Sequence, residues 1–184
     1  MTPKGKNKET ASNNFLIIHK HTSDGFDELC KKIREINQHD KNVCYVCLSK
    51  PYTDVMENLK EEHLSCDNMF FVDTLSSLSY ALSPVSKCLF VRGMENLENL
   101  RSTVRKAIKK HDCGTVVFDS ISALLVYQPS YAIVKFTHNL LNDEAYGTTK
   151  KVYVTLNETG IYRDESAKLI KDLNLFADRT IELG

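Results

Sequence analysis

Short, almost wholly apolar runs recur along this chain, and a longer segment with helical spacing of apolar residues follows most of them. Phe15-Leu16-Ile17-Ile18, Val43-Cys44-Tyr45-Val46-Cys47-Leu48, Met69-Phe70-Phe71-Val72, Thr115-Val116-Val117-Phe118-Asp119 and Lys151-Val152-Tyr153-Val154-Thr155-Leu156 are the runs. A strand that is apolar on both sides must be covered on both faces. A parallel sheet between two layers of helices does this. The alternation predicts an α/β chain with a mostly parallel central sheet and helices on both faces.

The intervening segments read as amphipathic helices. Phe26, Leu29, Cys30, Ile33 and Ile36 form one apolar stripe, with Thr22 or Ser23 as its N-terminal cap. Pro51 opens a second helix carrying Val55, Met56 and Leu59. Leu97, Leu100, Val104, Ala107, Ile108 and His111 define a third. Further helices are expected over about 131–144 and 164–173, and a closing strand over 179–183. Residues 75–86 read as a serine-rich loop with a turn of helix, and Cys88-Leu89-Phe90-Val91 as a short strand or an extended lead-in. No repeat or linker interrupts the pattern, so residues 14–184 are read as one domain and residues 1–13 as a polar, disordered tail. The strands at 15–18, 115–119 and 151–156 should be central, with the site at their C-terminal ends.

Composition narrows the function classes. Lys plus Arg and Asp plus Glu are both 24, so the chain has no bulk charge preference for nucleic acid or an anionic membrane. No apolar run is long enough to span a bilayer, and the N-terminus lacks the apolar stretch of a secretory signal, so a cytoplasmic protein is expected. Cys44 and Cys47 have C-x-x-C spacing, but on a strand residues three apart face opposite ways and cannot share one metal. The six cysteines read as free thiols.

The segment from His19 to Gly25 joins the first strand to the first helix. A phosphate-binding loop there reads G-x-x-x-x-G-K-[ST], because backbone N–H groups must wrap phosphates, a Lys must balance charge and a hydroxyl must hold Mg²⁺. Here Gly25 is followed by Phe26 and Asp27. Three other segments carry a resemblance alongside this one. They are the strand and helix over 43–59, the run Val116-Val117-Phe118-Asp119-Ser120-Ile121-Ser122, and the ending Ala177-Asp178-Arg179-Thr180-Ile181-Glu182-Leu183. In this order they resemble the RecA superfamily of ATPases, and more closely the archaeal and bacterial KaiC-like ATPase domains, with a lean to the archaeal side. The resemblance implies that Asp119 is the Walker B aspartate. It also implies that such domains pack side by side, with nucleotide at the junction.

The departures from the family pattern shape the functional expectation. Read without gaps, the family's G-x-x-G-x-G-K-T falls on residues 20–27. Lys20 and Ser23 stand for glycines, Phe26 for the lysine and Asp27 for the hydroxyl residue. Asp24 and Asp27 would repel a triphosphate by about 1 kcal/mol or more per charge pair. Leu48-Ser49-Lys50-Pro51 holds no carboxylate where the family keeps its catalytic glutamate. The expectation is a pseudo-ATPase with a degenerate Walker A motif and no catalytic residue. It would be a regulatory or scaffolding module in signalling or assembly, working through a protein partner or self-association. The alternative is an ATP or ADP sensor, or a weak ATPase, in which Gly25, Asp119 and Lys20 contact nucleotide and Mg²⁺. A further alternative is nucleic-acid binding through the basic face Arg101, Arg105, Lys106, Lys109 and Lys110. His19, His21 and Asp119 could form a metal set, although a polar loop is the favoured reading. Ser120 and Ser122 are read as helix-capping hydroxyls. Tyr127-Gln128-Pro129-Ser130-Tyr131 is read as loop packing or as a face toward a neighbour.

Overall fold

A computed structural model describes residues 13–19, 25–37, 41–76, 86–91, 94–156 and 161–184. Seven strands form one sheet: β1 (Asn14–His19), β2 (Asn42–Cys47), β3 (Met69–Asp73), β4 (Cys88–Phe90), β5 (Cys113–Asp119), β6 (Lys150–Leu156) and β7 (Arg179–Leu183). Their order is β4-β3-β2-β5-β6-β1-β7, and every pairing is parallel. Five helices connect them: α1 (Gly25–Asn37), α2 (Tyr52–Glu61), α3 (Leu97–His111), α4 (Ser130–Asn142) and α5 (Arg163–Asn174). β1, β5 and β6 are interior strands, as their sequences predicted.

Period-two alternation sorts the apolar residues into two cores. Phe15, Ile17, Tyr45, Phe71, Val117 and Val154 pack with Leu29 and Ile33 of α1 and with Val55 and Leu59 of α2. Leu16, Val46, Val72, Val116, Phe118 and Tyr153 pack on the other face with Leu100 and Val104 of α3, Ile133 and Phe136 of α4, and Leu169 of α5. Cys44 and Cys47 fall into opposite cores, and all six thiols are free. Burial pushes the thiols of Cys30 and Cys113 up to about 12, so at neutral pH they act as small apolar groups.

Local chemistry sets the helix ends. The Asn96 side chain accepts from Asn99 N–H at 2.9 Å and caps α3. Asp112 ends that helix in a left-handed conformation, φ 47°, after Lys109, Lys110 and His111 in the last turn. At the lower edge of the sheet, Asp178 accepts from the backbone N–H groups of Asn13 and Asn14 at 2.8 and 2.9 Å and ties the start of β1 to the segment before β7. A 3-10 turn over Ile121–Val126 follows β5, a feature that apolar periodicity did not reveal. Among the described residues, no helix is long and apolar enough to cross a membrane.

Candidate functional site

Chain connectivity selects one end of the sheet. From β2 the chain proceeds through α2 to β3, and from β5 through α4 to β6, in opposite directions along the sheet. Adjacent parallel strands whose connections diverge leave a crevice beyond their C-terminal ends. A cleft of ≈ 520 Å³ lies there, bordered by His19, Phe26, Lys50, Asp119, Tyr127 and Leu156 among others. Another cavity, ≈ 390 Å³, sits at the opposite end of the strands beside Asn37, Val43, Asn68 and Met69, away from this crevice.

Asp119 ends β5 opposite Cys47 of β2. Alternation turns it to the α1 side, the side of Tyr45 and Val117. The Tyr45 hydroxyl donates to Asp119 Oδ2. The Asp119 carbonyl accepts from Leu48 N–H at 2.7 Å and Ser49 N–H at 3.2 Å, and this holds the strand-end loop of β2 against β5. The Asp119–Ser120 peptide is cis. Burial raises the Asp119 pKa; the Tyr45 hydrogen bond and the nearby charges of Lys50 and His19 pull it back only in part. The same burial and the adjacent carboxylate push the Tyr45 phenol well above its ordinary value.

This pairing carries a pH-dependent prediction. The folded state binds a proton at Asp119 more readily than the unfolded chain does. The stability Asp119 contributes is therefore fully present below the ordinary carboxylate range and is lost as pH rises through the raised value. Tyr45→Phe removes the donor that lessens this loss. It should cost about 1–3 kcal/mol near neutral pH and less at about pH 4, where the acid form needs the donor less. Denaturant unfolding of both proteins across that range checks it, and a penalty that grows toward acid would contradict it.

His19 and Gly25 meet directly. A Cβ at Gly25 would lie 1.9 Å from His19 Nε2 and 2.1 Å from Cε1, so the imidazole rests on the first residue of α1. His19 is 9% exposed, and its Nδ1 has no hydrogen-bond partner among the described residues. Lys50 borders the same cleft. Its Nζ stands 6.0 Å from the centre of the Phe26 ring. A cation from the end of β2 thus stands beside Phe26 of α1. Its signal in the sequence was its place between a strand end and Pro51, at the divergence of the sheet.

Of the sequence-predicted contacts, Asp119 borders the cleft, Gly25 lies against His19, and Lys20 lies outside the described residues, as do His21, Thr22 and Ser23. Among the described residues no group of three or more metal-ligating side chains forms. The expected helix-capping role of Ser120 and Ser122 gives way to a different one. Ser120 Oγ and Ser122 Oγ lie 2.8 Å apart, Ser120 Oγ donates to the Val154 carbonyl at 3.2 Å, and Ser122 Oγ accepts from Leu156 N–H at 3.1 Å. They fasten the turn after β5 to β6, because the chain there is a 3-10 turn packed on that strand. On α3, Arg101 pairs with Glu98 at 2.7 Å and Asp143 at 3.5 Å, and Arg105 approaches Asp143 at 3.9 Å. Two cations of the proposed basic face are thereby engaged within the chain. Val126 and Tyr127 border the cleft and are 58% and 44% exposed; Tyr131, at the start of α4, is 71% exposed beside Leu97 and Arg101 of α3.

Asp73, which no sequence motif singles out, closes the neighbouring strand end. Its carboxylate, buried completely, accepts from Tyr52 N–H at 2.8 Å, Leu75 N–H at 2.8 Å, Ser76 N–H at 3.0 Å and Ser76 Oγ at 2.6 Å. An Asp at a strand end with Ser three residues on was the available signal.

No protein-family model matches the chain, and no curated protein matches it. Solved structures do. A KaiC-like protein from Pyrococcus horikoshii aligns with TM-score 0.61 at 12% identity, over 95% of this chain and 74% of that one. An uncharacterized Pyrococcus horikoshii protein in complex with an unknown peptide gives 0.68 at 16%, over 93% and 77%. The flagellar accessory protein FlaH from Methanocaldococcus jannaschii gives 0.54 at 14%, over 93% and 71%. The chain has a RecA-type fold. This agrees with the single parallel sheet and two helix layers that the apolar alternation predicted.

Proposed function

We propose that this chain is a non-hydrolysing KaiC-like module that acts through a protein partner. The observation that carries the reading is the state of the cleft carboxylate. Asp119 is the sole carboxylate among the described residues bordering the cleft, and its Oδ2 is taken by Tyr45. Hydrolysis of a phosphoanhydride needs a group that orients water and cations that neutralise the transferring phosphoryl group. The end of β2 offers Leu48, Ser49 and Lys50, and α1 opens with Gly25, Phe26 and Asp27. The end of β2 carries no carboxylate to act as base, and the start of α1 carries no lysine followed by a hydroxyl residue. The exposed Val126, Tyr127 and Tyr131 suit protein contact, since tyrosine offers apolar area with a polar tip. One structural neighbour was solved with a peptide bound, which supports peptide recognition as a use of this fold.

The purified chain should release no phosphate from ATP above the blank with Mg²⁺, and Phe26→Lys alone should not create turnover, because the base is also missing. Mg²⁺-dependent turnover that disappears in Asp119→Ala would overturn the proposal.

A further inference from the structure

We propose that the cleft is a binding site for a small organic anion with an apolar body, of which a medium-chain carboxylate is the simplest member. The inference rests on the reading that the cleft does not turn over nucleotide, and it names what the cleft accepts instead.

The walls are mostly hydrocarbon. Phe26, Leu48, Leu75, Met94, Val126 and Leu156 border the ≈ 520 Å³ volume, and the charged groups beside them are Lys50, Asp119 and the titratable His19. Apolar walls with a few polar groups are the usual make-up of a small-molecule site. Lys50 is exposed and makes no ion pair among the described residues, and its ammonium stands over the Phe26 ring, 6.0 Å from its centre. The other charged group, Asp119, already receives the Tyr45 hydroxyl and lies deeper between the strands. A ligand headgroup therefore meets a free ammonium at the mouth, and its apolar part meets the walls.

His19 borders the cleft as well. It is nine-tenths buried and its Nδ1 has no accessible surface, so the imidazole serves as part of the wall and the headgroup is left to Lys50. Charge matching favours one anionic group over a triphosphate. A single ammonium faces the ligand, too little to balance a triphosphate, and the Asp27 carboxylate at the start of α1 is paired with Lys31.

The test titrates octanoate, octanol and octylammonium into the full chain at low salt, followed by NMR shifts of cleft residues. Octanoate should bind about fivefold tighter than octanol, with octylammonium weakest. Lys50→Met, at an exposed position that leaves the fold intact, should bring octanoate to the octanol level and leave octanol unchanged. Ala123→Leu, which narrows the cleft, should weaken both. Equal binding of octanoate and octanol by the native chain, octanoate binding that survives Lys50→Met, or absence of octanoate binding at millimolar concentration would each overturn the assignment. Mg²⁺-dependent ATP turnover is measured on the same sample. Turnover defeats the non-hydrolysing reading, whereas failure of octanoate without turnover defeats only the ligand assignment.

Discussion

Asp73→Ala should lower the stability of this protein by about 3–5 kcal/mol, the largest loss expected from a single polar side chain in it. The carboxylate of Asp73 is fully buried and accepts four hydrogen bonds, three of them from backbone N–H groups. One of these donors, Tyr52 N–H, is at the first residue of α2, where Pro51 at the cap position has no side-chain oxygen to offer. Removing the carboxylate leaves these donors without an acceptor in a place that water reaches poorly. Asp73→Asn keeps one oxygen and should cost about half as much. For a chain of 184 residues the alanine variant should lower the melting temperature by roughly 10 °C. Thermal and denaturant unfolding of both variants checks the order. A loss under about 1 kcal/mol for Asp73→Ala would show that the strand-end loop is held by other means.

Phe118→Ala should cost about 3–5 kcal/mol by a different mechanism. The ring is fully buried, meets Phe136 edge-on at 5.8 Å and stacks on Tyr153 at 5.5 Å. Truncation removes apolar contact and opens a cavity between β5, β6 and α4, a tightly packed layer that relaxes little. Phe118→Leu should recover most of the loss. The residue is next to Asp119 in sequence but faces the opposite core. The variant should therefore leave the pH response of the Tyr45–Asp119 pair unchanged, measured as the difference in stability between acidic and neutral pH. A changed response would mean that the two faces of β5 are coupled.

The fold was legible because both layers of the sheet are written into the strands. Val116 and Phe118 serve one core and Val117 the other, and a strand apolar at every position can only be sandwiched. The helices followed from stripes such as Leu100, Val104, Ala107 and Ile108. The 3-10 turn over Ile121–Val126 was not legible, because an apolar run of that length fits a strand, a helix or a turn equally. At the site, Asp119 and Gly25 could be placed on one sheet end from order alone. The Tyr45–Asp119 bond, the seat of His19 on Gly25 and the approach of Lys50 to Phe26 could not. The first and the last join residues far apart in the chain, and which strands become neighbours is decided by packing that no local pattern records.

The proposed function requires that the cleft of this RecA-type fold not take up a nucleoside triphosphate. Calorimetric titration of ATP and ADP, with and without Mg²⁺, tests this most directly. The prediction is no saturable heat for either nucleotide. Micromolar binding that strengthens with Mg²⁺ and weakens in Asp119→Ala would contradict it and would return the cleft to nucleotide recognition.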